Sequence, residues 1–276
     1  LHIELVGITT EGDRTLDVPL AEKGGKGLFL KELEQALLDG RIDLAVHSMK
    51  DVTVTEPDGL HIPVICERED PHDALVSTRF GDLRELPDGA VVGTCSLRRQ
   101  SLLRYRFPQL KVENLRGNVN RRLQRLDDGD FDAIILATAG LLRLQMAERI
   151  RQRIPTGIML PAVGQGAVGV QCRSDDADTT ALLMPLDHAP THVRITAERA
   201  ANARLGGGCH LPIGAFAEIE GEQLRLRGLV GRPDGSEILF ASAKGLVSEV
   251  EAVGHALADD LLGQGAKALL QEFANA

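Results

Sequence analysis

The sequence has no tryptophan, one tyrosine and seven phenylalanines, so aromatics make up 3% of its 276 residues. A surface that stacks single-stranded nucleic acid needs aromatic side chains, and a core this poor in them must be aliphatic. Cysteine is scarce too: Cys66, Cys95, Cys172 and Cys209, with no Cys-x-x-Cys pair. That argues against a zinc ribbon and leaves no metal expected. Four cysteines in a chain this long do not make a disulfide framework, so a reduced, cytoplasmic compartment is expected. The longest strongly apolar run, residues 133–142, is far short of the roughly 20 residues that span a bilayer. No secretory signal pattern is visible at the start.

Positive charge is in deficit as well. The net charge is −9, from 31 basic and 40 acidic residues, which argues against a general binder of nucleic acid or anionic membrane. The deficit is uneven. Residues 98–125 hold nine basic side chains and one acid, Glu113, giving a local +8 and leaving −17 for the rest. Eight of the nine are arginine, whose planar fork suits carboxylate or phosphate. An acidic shell repels a long polyanion, so a small poly-anionic ligand held in a cleft is the better fit.

Hydrophobic residues at 43% and charged residues at 26% are ordinary globular composition, and the length implies about two domains. The periodicity predicts strands over 3–8, 42–47, 60–66, 74–77, 90–94, 111–115 and 131–137. Helices are expected over 28–38, from Ser96 as cap to about 105, over 119–127 and from about 140. Alternation of this kind implies βα units and largely parallel sheets. The C-terminal part differs. A helix over 191–205 precedes a Gly206-Gly207-Gly208 loop that carries Cys209, then a meander over 215–219, 223–230 and 238–243. A helix over 248–273, interrupted at Gly263 and Gly265, closes the chain as a small α+β domain. The turn Pro233-Asp234-Gly235-Ser236 is a strong hairpin signal.

Gly164-Gln165-Gly166-Ala167-Val168-Gly169 matches G-x-G-x-x-G formally. The residues after it read as a strand, and a dinucleotide fingerprint must open a helix. Arg98 and Arg99 stand in the first turn of a helix, against its dipole, just after a strand end where α/β proteins bind ligands. Arg116 follows the next strand in the same way. Together they point to an anion partner, whereas a lone pair of arginines would read as solvated surface charge. Asp51 follows the strand over 42–47, beside Lys50. Alone it reads as a cap or surface ion pair; in an Arg-rich cleft it would stay ionised and could relay a proton or stabilise a cation. Cys209, on a Gly-rich loop, is placed for an electrophile to reach.

Five segments carry a resemblance, in order: His47-Ser48-Met49-Lys50-Asp51-Val52, Ser96-Leu97-Arg98-Arg99-Gln100, Leu115-Arg116-Gly117-Asn118-Val119, Leu160-Pro161-Ala162-Val163-Gly164-Gln165-Gly166 and Gly207-Gly208-Cys209. They resemble the porphobilinogen deaminase (hydroxymethylbilane synthase) family over nearly the whole chain. The resemblance implies an α/β fold with two periplasmic-binding-protein-like domains, 1–66 with 167–185 and 72–160, plus a small α+β C-terminal domain over 189–276. It implies a monomeric cytoplasmic transferase that joins four porphobilinogen molecules head to tail with loss of ammonia, giving a linear tetrapyrrole. The implied cofactor is a dipyrromethane held by a thioether to Cys209. Asp51 would be the catalytic carboxylate. Arg98, Arg99, Arg116, Arg122 and Arg143 would bind acetate and propionate groups, with Ser96, Lys50, Asp13 and Gln165 as further contacts. Lys26 and Phe29 would belong to an active-site loop. No nucleic acid or membrane partner is implied. The family carries a first βα unit that would precede Leu1. Thr53 stands where the family usually has Pro, and Cys95 where it usually has Ser. A non-catalytic anion-binding protein is the rival reading, and Cys209 separates the two, because a simple binder needs no such thiol.

Overall fold

A computed structural model describes residues 2–10, 30–208 and 211–274. Helix α1 (Lys31–Leu38) is followed by β1 (Leu44–Ser48), a 3-10 turn (Met49–Asp51) and β2 (Leu60–Ile65). Next come β3 (Asp73–Val76), β4 (Val91–Gly93), α2 (Leu97–Arg106), β5 (Lys111–Glu113), α3 (Val119–Asp127), β6 (Ala133–Ala137), α4 (Thr138–Arg143) and β7 (Gln152–Ile154). Strand β8 (Val168–Arg173) and α5 (Ala177–Leu183) lead to α6 (Ala189–Arg204). The meander β9 (Ile213–Glu220), β10 (Gln223–Gly231) and β11 (Ile238–Leu246) precedes α7 (Val250–Gly263) and α8 (Ala266–Ala274).

The strands form three sheets, ordered β1-β8-β2, β5-β4-β6-β3-β7 and β11-β10-β9. The expectation of largely parallel sheets is corrected here. Among the described residues only β4–β5 and β4–β6 pair in parallel. In the first sheet β8 returns from far along the chain and lies antiparallel between β1 and β2. In the second, β3 runs antiparallel to both β6 and β7. Alternation of strands and helices reports local crossovers; it carries no information on a strand that enters a sheet from elsewhere. Residues 3–8 are corrected too. They form no strand and are largely exposed, Leu5 at 94%, because an apolar run becomes a strand only where a neighbour supplies its ladder.

Burial follows the side-chain pattern. The apolar run of β6 (Ala133 to Leu136) is buried, as expected of a central strand covered on both faces. Helix α3 buries Leu123 and Leu126, and the Asn118 side chain caps it by accepting the Arg121 N–H at 2.9 Å. Strand β11 alternates half-buried and exposed residues, so one face of the third sheet is solvated along that edge. Its other face packs on α6 and α7 through Leu224, Leu226, Leu257 and Leu261. Phe216 and Leu229 of that sheet instead join Leu75, Val92, Leu102 and Leu160 in the core of the second, so these two sheets share apolar contact.

Candidate active site

Three loops at carboxyl ends of strands supply the polar residues. After β1 the 3-10 turn carries Lys50 and Asp51, and is fixed by Met49, which is 2% exposed and donates its N–H to Ala167 O at 3.0 Å. Gly164 (φ +71°) packs directly on the Met49 backbone, and Gly166 (φ +89°) on the Glu69 carbonyl; a Cβ at either would clash. The G-x-G pattern thus serves a close backbone crossing, as the strand that follows it required. His47 bonds Gln171 of β8 at 2.9 Å, and burial holds its pKa below the ordinary value against that bond and the nearby Asp51 charge.

After β4, Ser96 stands at the N-cap of α2, but its side chain makes no capping bond. The unfavourable arginines that follow it do have an anion partner, and it is inside the chain. Asp73, fully buried at the start of β3, accepts Arg98 Nη1 at 2.7 Å and Nη2 at 3.3 Å, and Arg99 Nη2 at 2.7 Å and Nε at 3.0 Å. Gln165 Nε2 completes the set, donating to Asp73 Oδ1 at 3.0 Å and to Pro71 O at 2.7 Å. Arg98 also reaches Leu160 O and Arg99 reaches Ile135 O. Burial alone would raise the pKa of Asp73; the Arg98 and Arg99 charges and the hydrogen bonds outweigh it and hold the carboxyl far below its usual range.

The loop after β5 brings Arg116, whose Nη1 is buried with no hydrogen-bond partner among the described residues. On α3, Arg122 spends only Nε, on Gly117 O at 2.7 Å. Burial lowers its pKa, and it lies within electrostatic reach of Cys95, Arg99, Arg116 and Asp51. Lys50 is likewise lowered by burial, offset by Asp51 and Asp73 and reinforced by Arg99 and Arg122. Five cations (Lys50, Arg98, Arg99, Arg116, Arg122) and two carboxylates, Asp51 and Asp73, thus form one electrostatically linked cluster. Arg143, at the end of α4, donates to Gly166 O at 2.8 Å and so borders the same crossing. Asp13, Lys26, Phe29 and Cys209 lie outside the described residues. The sequence reading missed Asp73, Arg68 and Glu198. Arg68 donates through Nε to Gln165 O at 2.8 Å and pairs with buried Glu198. The available signal for Asp73 was an acid directly abutting the apolar Ala74-Leu75-Val76.

An α/β scaffold with partly unpartnered guanidinium groups at its strand ends offers hydrogen-bond donors to a poly-anion. Residues 1–181 match the family model described as porphobilinogen deaminase, dipyromethane cofactor binding domain, and residues 192–263 match porphobilinogen deaminase, C-terminal domain. The chain belongs to the porphobilinogen deaminase family, enzymes of tetrapyrrole biosynthesis whose cofactor is a dipyrromethane. The donor set fits that group: the orphaned Arg116 Nη1 and the uncommitted ends of Arg122 and Lys50 are what its carboxylates require. Among solved structures the chain is similar to a putative methionine-binding lipoprotein of Bacillus subtilis (12% identity, 58% of this chain and 76% of that one, TM-score 0.40). It is also similar to a periplasmic substrate-binding protein of an ABC transporter from Coxiella burnetii (16% identity, 58% and 77%, TM-score 0.40). Among the described residues no helix is long and apolar enough to cross a membrane.

Proposed function

We propose that the chain condenses four porphobilinogen molecules head to tail, releasing one ammonia each time, and then frees the linear tetrapyrrole hydroxymethylbilane by hydrolysis, water supplying its hydroxyl and the proton returned to the cofactor's α-carbon. The observation that carries this reading is the buried, unpartnered Arg116 nitrogen among Arg122, Lys50 and Asp51. We read the chain as units 1–66 with 167–185, 72–160 and 189–276, the first two facing each other across these loops. The dipyrromethane, bound by thioether to Cys209, supplies an anchored pyrrole with a free α-carbon. Arg116, Arg122, Lys50 and Arg143 take acetate and propionate groups, with the Ser96 hydroxyl and Gln165 beside them. Arg98 and Arg99 hold their charge under the site, one of the two neutralised by Asp73. Asp13 is assigned as a further ligand contact, and Lys26 and Phe29 as residues of an active-site loop, from the family resemblance.

Asp51 is the catalytic residue of this reading. As ammonia leaves the substrate's aminomethyl carbon, positive charge develops there, and an ionised carboxylate placed in advance stabilises it. The same oxygen then accepts the ring proton lost when the new carbon–carbon bond has formed. Electrostatic stabilisation of that charge is its larger contribution. Asp51→Asn is expected to lower turnover about 10²–10³-fold while leaving the cofactor attached; steady-state rates near wild type would remove Asp51 from the mechanism. Intact-mass analysis of denatured protein, made in cells that supply the substrate, should show an adduct of two pyrrole units that maps to the Cys209 peptide. An unmodified Cys209 in active protein would refute the attachment.

A further inference from the structure

A second cleft lies outside the loops around Asp51 and shares no residue with them. A cavity of about 480 Å³ opens between α2, the segment 156–160 and strands β10 and β11. That volume is in the range of small-molecule sites. One wall is apolar, formed by Leu102, Ile158, Leu160 and Phe240. Three guanidinium groups border the rest: Arg106, Arg225 and Arg227.

Their state of pairing is what singles the cavity out. Among the described residues Arg106 and Arg225 have neither an ion pair nor a side-chain hydrogen bond. Arg227 donates through Nη2 to Thr156 Oγ1 at 2.9 Å and to Glu218 at 3.0 Å, yet its Nε is buried with no partner. Among the described residues Asp260 is the one carboxylate of the lining, and it already accepts Gln264 Nε2 at 3.1 Å. An acidic protein thus concentrates three cations against an apolar wall, at a seam where two sheets share a core.

We propose that this cavity binds an amphipathic organic anion, with its carboxylate or sulfonate on Arg225, Arg227 and Arg106 and its apolar body against Leu102, Ile158 and Phe240. An occupant would touch the C-terminal half of α2 and the third sheet together. The N-terminal turn of α2 holds Arg98 and Arg99, so the ligand would tie the catalytic side of that helix to the C-terminal sheet. The inference stands independently of the proposed reaction.

The test uses 1-anilinonaphthalene-8-sulfonate, an aryl sulfonate whose fluorescence rises in apolar surroundings, titrated at fixed moderate salt. Wild-type protein is expected to bind it saturably at one site. Arg106→Ser with Arg225→Ser, both exposed positions, should raise its Kd at least about tenfold. Ser242→Glu is a second variant at an exposed position; Ser242 lies opposite Arg227 in the β10–β11 register, and a carboxylate there should compete with the probe and weaken it similarly. Arg116→Ala should leave the affinity unchanged. Absence of saturable binding, unaltered affinity in the seam variants, or loss of binding in Arg116→Ala would each overturn the proposal.

Discussion

Asp73→Asn should destabilise the folded protein by about 3–5 kcal/mol, the usual effect of removing one partner from a buried charge network. The wild-type carboxylate takes four bonds from two guanidinium groups that are 2% and 5% exposed, and a fifth from Gln165. An amide keeps the shape but not the charge, and its NH2 would face donors. Two buried cations would then oppose each other without a counter-ion. In urea unfolding the midpoint should fall while the slope stays constant; a change below about 1 kcal/mol would refute the pairing. The pH dependence gives a second check. The folded-state pKa of Asp73 lies well below the unfolded value of about 3.9. Its contribution is therefore complete above that value and declines as pH falls toward the folded one. The gap between wild type and Asp73→Asn should accordingly be largest near neutral pH and narrow in acid.

Glu198→Gln should cost a similar amount, about 3–5 kcal/mol, for a different set of partners. Glu198 lies on α6 and is fully buried. It accepts Arg68 Nη1 at 2.6 Å and Nη2 at 3.2 Å, the Gly164 N–H at 2.8 Å and the Ala217 N–H at 3.0 Å. One carboxylate thereby fastens the link after β2, the glycine crossing and the first meander strand to one helix. Glutamine can serve these donors with only one oxygen. Replacing both charges, as in Arg68→Met with Glu198→Met, removes the unpaired cation but still strands two buried backbone N–H groups, at about 1–3 kcal/mol each. The double variant should therefore recover part of the loss and not all of it. Full recovery would show that the ion pair alone matters; no recovery would show that the backbone bonds dominate.

Local features were the legible ones. Helix α3 is found at 119–127 as its pattern required, and the C-terminal helix breaks at Gly265, whose φ is +107°. The meander was announced by its Pro233-Asp234-Gly235-Ser236 turn. Register between distant segments was not legible, because periodicity says which face of a strand is buried and nothing about its neighbour; β8 is the example. The basic stretch shows the same limit. Its arginines looked like one anion-binding surface, but helix geometry sends them in different directions. Arg104 bonds Pro233 O and Val112 O, Arg125 pairs with Asp130 over the Phe131 ring, and Arg106 borders the seam cavity. Arg98 and Arg99 did signal an anion, as their conflict with the helix dipole required. That the nearest one is Asp73 depends on β3 passing beneath α2, which only the fold decides.

The central place of β8 bears on how the chain comes off the ribosome. All five strands of the second sheet fall within residues 73–154, so that sheet can close as soon as its own segment has emerged. The first sheet cannot. Among the described residues, strands β1 and β2 both pair only with β8, which follows β2 by about a hundred residues, or roughly 5–20 s of synthesis at typical rates. Through that interval the two earlier strands expose open edges on a nascent chain that already carries a folded neighbour, and this is the interval in which chaperone protection would matter most.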